Sequence, residues 1–231
     1  RDGHVPAHDD LLAIGVGQQV RVAELDLAFL ACLKERLLSA LRDALLADGE
    51  EVVSTREPGG TPLAERIREL LLGGTGEPVH PQTELLLMFA SRAQHVREVV
   101  LPALHRGAWV ISDRFTDSSY AYQGAGRGLD EGFIAALEQQ AVGIEPGLTL
   151  LLDLGVAHGR ERTRGRDLLG GSAPDRIERE RDEFFERVRE CFLARASAHP
   201  QRFRVIDASP DALTVAASAL SALAEHRKAL R

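Results

Sequence analysis

Two short blocks of the sequence place phosphate-, metal- and base-binding side chains beside turns that bring backbone close to a ligand. In Arg56-Glu57-Pro58-Gly59-Gly60-Thr61 the arginine offers a planar fork for a phosphate. The Pro-Gly-Gly turn then lets the chain approach a ligand before a helix begins. The second block runs Asp113-Arg114-Phe115-Thr116-Asp117-Ser118-Ser119-Tyr120-Ala121-Tyr122-Gln123-Gly124, then Gly126-Arg127-Gly128. There a carboxylate can order metal-bound water, an arginine can neutralise phosphate charge, and hydroxyls and an amide one or two helical turns on can read a base edge. Taken singly, each residue also fits a plainer role: Arg56 exposed at a strand-to-helix turn, Asp113 as an N-cap, and Ser118, Ser119 and Gln123 on a helix surface.

Elements able to hold these blocks are legible around them. Glu51–Thr55, Trp109–Ser112, Leu148–Leu154 and Phe203–Ile206 are short apolar, β-branched runs that read as strands. Pro62–Leu72, Pro81–Leu104, Glu131–Val142, Ile177–Ala198 and Asp211–Ala229 have helical length and period, with Pro62 suited to a first helical turn. The alternation predicts a three-layer α/β/α fold with a parallel sheet covered on both faces, and ligands at the carboxyl ends of its strands. Both blocks fall at such ends. A third strand end, at Asp153, leads into an arginine-rich stretch that closes on Asp175-Arg176-Ile177-Glu178. Gly170-Gly171-Ser172-Ala173-Pro174 reads as a mobile loop.

Composition sets the outer bounds. The 231 residues, 44% hydrophobic and 27% charged, suffice for one α/β domain with a full core. A net charge of -7 argues against a nucleic-acid partner, which needs a clustered positive surface. Cys32 and Cys191 lie far apart without metal-spaced neighbours, so neither a zinc site nor a disulfide scaffold is indicated. No apolar run reaches the roughly 18 residues of a membrane helix, and the start lacks a signal-peptide layout, so a soluble cytoplasmic protein without a membrane partner is expected.

The wording of the blocks goes further. Arg-Glu-Pro-Gly-Gly-Thr resembles a hallmark of the thymidylate kinase family, as does Asp-Arg-aromatic followed by Ser-Ser-x-Ala-Tyr-Gln. Ala90-Ser91-Arg92-Ala93-Gln94-His95-Val96 and Asp175-Arg176-Ile177-Glu178 resemble its substrate-arginine and post-lid segments, and the likeness is dense from about Leu41 onward. The resemblance implies a nucleoside-monophosphate kinase fold of the P-loop type and transfer of the γ-phosphoryl group of ATP, with Mg2+, to dTMP, giving dTDP. It implies that Arg56, Glu57, Arg92 and Arg114 serve the acceptor phosphate side, that Ser118, Ser119 and Gln123 read the base, and that Asp113 orders the magnesium shell through water. Arg162, Arg164 and Arg166 stand where a bacterial branch carries lid arginines; by composition alone they are equally a solvated basic helix end. The lid would span about 156–178, and a homodimer is the family's common state. Met88 occupies the position where the family usually has a phenylalanine stacked on thymine, and its thioether can pack on a base. Phe89, four residues after Leu85, reads as core.

The donor side departs from this pattern. No Gly-x-x-x-x-Gly-Lys-Ser/Thr phosphate cradle occurs in the chain. Family spacing puts its lysine at Lys34, within Phe29-Leu30-Ala31-Cys32-Leu33-Lys34-Glu35, where no glycine precedes the lysine and no hydroxyl follows it. Leu25, Phe29, Leu33, Leu37, Leu41 and Leu45 recur every fourth residue, predicting one amphipathic helix from about Glu24 to Ala47 in place of the first strand and P-loop. Residues 1–20 read as an irregular arm and 21–231 as the kinase-like domain. A dTMP-binding protein without transfer activity is the alternative expectation. A deoxynucleoside kinase is disfavoured by Arg56–Thr61 and Arg127.

Overall fold

Side-chain alternation in the strands shows how the sheet is sandwiched. Trp109 and Ile111 face one layer and Val110 the other; Leu148, Leu150 and Leu152 face the first and Leu151 the second. A computed structural model describes residues 22–26, 31–73, 76–168 and 175–230, with side chains described over 33–73, 76–162 and 175–230. Among the described residues, β1 (Val22–Asp26), β2 (Val52–Arg56), β3 (Trp109–Asp113), β4 (Leu148–Asp153) and β5 (Phe203–Asp207) form one parallel sheet in the order β2-β3-β1-β4-β5. This is the expected α/β fold.

The helix expected over Glu24–Ala47 is a correction. Val22–Asp26 is a strand, and helix α1 begins only at Ala31 and runs to Ala47. β1 is the central strand, pairing Val22 with Val110 and Leu25 with Asp113 on one side, and Ala23 with Leu148 and Asp26 with Leu151 on the other. Between β3 and β4 only an extended segment satisfies both ladder edges, and that tertiary demand overrides a helical leucine period. The charges of Glu24 and Asp26 do not prevent the pairing. Residues 1–20, the helix-period position Phe29 and the loop Gly170–Pro174 lie outside the described residues.

One face of the sheet is covered by α1 and the C-terminal helix α9 (Ala212–Ala229), through Leu37, Leu41, Leu45, Val215, Ala219 and Leu223. The other face carries α3 (Pro81–His95), which continues through a π-helical turn (Val96–Val100) into α4 (Leu101–His105). It also carries α5 (Thr116–Ser119), α6 (Glu131–Leu137) and α8 (Asp182–Ala198). Two further helices, α2 (Pro62–Gly73) and α7 (Val156–Leu168), follow β2 and β4. The helix expected from Ile177 starts five residues later because the Asp175 carboxylate accepts from the amides of Ile177 and Glu178 and folds a separate turn there. No helix among the described residues is long and apolar enough to cross a membrane.

Asp117 ties three elements together behind the site. It is fully buried and accepts from Arg195 at 2.5 Å on α8 and from Arg202 at 2.6 and 2.9 Å before β5. Burial pushes its carboxyl up, but the hydrogen bonds and charges of Arg202 and Arg195 outweigh it and hold the pKa below the ordinary carboxylate value. A folded pKa below the unfolded one means stability that is present above about pH 4 and lost as pH falls through the folded value. Asp117→Asn keeps one acceptor and should cost about 2 kcal/mol at neutral pH. It should also flatten the acid limb of the unfolding curve, which urea titrations between pH 3 and 7 would show.

Candidate active site

At the carboxyl ends of β2 and β3 the chain opens a cavity between α2, α3 and the start of α5. Its lining includes Lys34, Glu57, Arg68, Met88, Arg92, Asp113, Arg114, Ser118, Ser119, Tyr122 and Gln123, with Asp175, Ile177 and Glu178 from the turn before α8. Helical spacing explains α3's share: Met88 and Arg92 line the cavity four residues apart, and Glu84 and His95 extend the same face beyond it on either side. The segment Tyr120–Gly126 is π-helical, its amides reaching five residues back as Arg127 N does to Tyr122 O at 3.0 Å. That widened turn carries Tyr122 and Gln123 to the cavity, a use of π-turns common at binding sites.

The floor is an ionic network of buried groups. Arg92, 3% exposed, donates through Nε to Glu57 Oε2 at 2.5 Å, through Nη1 to Ser119 Oγ at 3.0 Å and through Nη2 to Phe115 O at 2.9 Å. Its guanidinium stands 4.8 Å from the Phe89 ring centroid. His95, fully buried, donates from Nδ1 to the Glu57 carboxylate at 2.8 Å, and its Nε2 lies 2.6 Å from Thr55 Oγ1. Thr55, His95, Glu57, Arg92 and Ser119 thus form a continuous line from the tip of β2 to α5, each fixing the rotamer of the next. Gly60, at φ 85°, closes over it: a Cβ there would stand 2.5 Å from His95 Cδ2 and 2.7 Å from Thr55 Oγ1. Gly60→Ala is therefore expected to destabilise the fold by about 1–3 kcal/mol and to raise KM for the acceptor substrate, with melting and steady-state assays as the check.

Arg114 is the one described non-glycine residue at positive φ, 69°, a strained conformation held by Ser112 Oγ donating to its carbonyl at 2.7 Å. Its guanidinium reaches Tyr122 Oη at 3.1 Å and stacks 4.7 Å from that ring. The carboxylate of Asp113 takes Lys34 Nζ on Oδ2 at 2.6 Å, while its buried Oδ1 has no hydrogen-bond partner. Lys34 thus stands in the cavity, although the residues before it differ from a P-loop.

Other expected site residues are placed differently. Arg56 is 52% exposed, is bound by Glu65 Oε2 at 2.9 Å and does not line the cavity. Arg162 donates to the carbonyls of Ala208 and Ser209 at 2.9 and 2.7 Å, on the loop after β5. The side chains of Arg164 and Arg166 lie outside the described residues. Phe89 is core beside Leu85, and Met88 faces the cavity. Sequence reading missed Arg68, which lines the cavity and donates to Pro58 O at 2.9 Å. Burial, then the positive charge of Arg56, lowers its pKa against the raising effect of Glu65 and Asp113. A guanidinium in that position favours an anion beside it. One signal could have found it: Arg68 interrupts the apolar stripe Ala64–Leu71–Leu72 of α2.

Comparison with known proteins agrees with this geometry. The sequence profile of the family described as thymidylate kinase matches residues 34–218. The chain belongs to the thymidylate kinase family. It is 54% identical to a thymidylate kinase of Alkalilimnicola ehrlichii over 176 residues, 76% of this chain and 79% of the relative. It is 56% identical to one of Chromohalobacter salexigens over 188 residues, 80% and 86% of the two chains. Among solved structures, the thymidylate kinase of Ehrlichia chaffeensis is similar with a TM-score of 0.68 at 28% identity, covering 88% of this chain and 97% of that one. Membership makes the chain a nucleoside-monophosphate kinase, and it fits a cavity that pairs a cluster of guanidiniums with hydroxyl and amide groups.

Proposed function

We propose that the protein transfers the γ-phosphoryl group of ATP to dTMP. The observation that carries this is the make-up of the cavity lining: the guanidiniums of Arg68, Arg92 and Arg114 share it with the thioether of Met88, the hydroxyls of Ser118 and Ser119 and the amide of Gln123. The guanidiniums hold and neutralise the acceptor phosphate, and the polar groups read the base while Met88 packs on it. Positive φ at Arg114 aims its side chain across the Tyr122 ring into the lining of the cavity, which supports a role in ligand binding.

On the donor side Lys34 and Asp113 form the charged junction. The partnerless Oδ1 of Asp113 fits a magnesium-bound water, since Mg2+ keeps several waters and takes one or two carboxylates plus substrate phosphates. When bound, the ion would neutralise charge on the phosphates. Lys34 supplies a point charge to the same region, and Asp113 keeps it oriented at 2.6 Å. The exposed Leu63 and Leu70 of α2 and Leu86 of α3 support a homodimer, which light scattering would test.

The direct test is a coupled assay with MgATP and dTMP, with dTDP as the expected product. Absence of dTDP from a protein that binds dTMP by calorimetry would overturn transfer.

A further inference from the structure

One buried acid at the base-reading end belongs to none of the roles above. Glu84, in the first turn of α3, is 1% exposed. Its Oε1 accepts from Gln123 Nε2 at 2.7 Å, and its Oε2 accepts from Arg176 Nη2 at 2.6 Å, with Arg127 Nη2 at 3.4 Å. A carboxylate between two guanidiniums has only lone pairs to offer. An amide can be built either way round, but here chemistry fixes it: the NH2 of Gln123 must face Glu84. Its carbonyl oxygen is then left for the cavity that Gln123 lines, and it has no protein hydrogen bond among the described residues.

We infer that Glu84 sets the hydrogen-bond polarity of the base site, locking Gln123 as an acceptor toward the base and so selecting pyrimidines that carry a hydrogen on ring N3. Thymine and uracil satisfy that acceptor. Cytosine, whose N3 is itself an acceptor, places two lone pairs against each other and leaves both groups unpaired. Glu84 is a positioning residue: it acts through Gln123 and touches no substrate. Arg176 secures it in turn, since its Nε donates to Leu71 O at 3.1 Å at the end of α2. The inference rests on the proposal that a pyrimidine monophosphate occupies this cavity.

Glu84→Gln is the test, because an amide at this position can either donate or accept and so frees Gln123 to turn over. The ratio of kcat/KM for dTMP to that for dCMP should fall about tenfold or more, chiefly through KM, with kcat for dTMP changed less than about threefold. Arg176→Gln breaks the ion pair but keeps the Glu84–Gln123 bond, so it should leave the ratio within about twofold even if the melting temperature drops. A measurement on the unmodified protein needs no variant to fold: by calorimetry, dTMP methylated at N3 should bind about tenfold or more weaker than dTMP, while dUMP, which keeps the N3 hydrogen, binds measurably. An unchanged ratio in a folded Glu84→Gln protein, or full-strength binding of the N3-methyl analogue, would overturn the inference and leave dTMP binding standing. Binding of neither dTMP nor dUMP would overturn the inference together with the proposed substrate.

Discussion

Arg92→Met is expected to lower kcat/KM for dTMP by about a hundred- to a thousandfold and to destabilise the fold by about 3–5 kcal/mol. Methionine fills much of the arginine's volume on the Phe89 face, so cavity formation is a minor part of the loss. What disappears is the cation that Glu57 Oε2 meets at 2.5 Å, together with the donors to Ser119 Oγ and Phe115 O. Glu57, 3% exposed, would keep only His95 and the edge of the cavity, and an uncompensated buried carboxylate is costly. Glu57→Gln added to Arg92→Met removes the stranded charge and should recover part of the stability, while activity should stay low because the guanidinium proposed to meet the acceptor phosphate is still missing. Denaturant melts and steady-state kinetics on the two single variants and the double would separate the effects. A single Arg92→Met variant as stable as the parent would show that Glu57 does not depend on it, against the geometry.

The fold was legible wherever a strand was short, apolar and bounded by turn residues. Trp109–Asp113 and Leu148–Asp153 are such runs, and their tips carry Asp113, Arg114 and Asp153, so the ligand end of the sheet could be placed as well. β1 was not legible, because Val22–Asp26 merges into the leucine spacing that continues through α1, and what makes it a strand is the pair of ladders offered by β3 and β4. The same physics limits the site. Arg56 carries the family wording, yet Glu65, nine residues on, captures it at the surface. His95 and Glu84 carried no local signal, since their roles are set by partners 38 residues away at Glu57 and 92 residues away at Arg176. Motif wording finds residues at strand tips, and the groups that orient them become visible only once distant segments meet.

Asp113→Asn is expected to lower kcat by about a hundred- to ten-thousandfold while dTMP affinity changes less than about threefold. Asparagine preserves the shape and an oxygen that Lys34 can still meet, and the backbone bond from Glu57 N to Asp113 O at 2.9 Å is untouched. The loss is the charge itself, which now holds Lys34 Nζ at 2.6 Å on one oxygen and leaves the other, buried oxygen without a partner. Lys34→Met removes the other half of the pair. If the two groups act as one unit on the phosphoryl donor, each single variant should lose about as much kcat as the double, the non-additivity expected of cooperating groups. Calorimetry with dTMP alone should register neither change if, as proposed, Arg68, Arg92 and Arg114 hold the acceptor side. Retained kcat in Asp113→Asn would move the donor site elsewhere. A matching loss of dTMP affinity would place Asp113 on the acceptor side, and the double variant would then lose binding and turnover together.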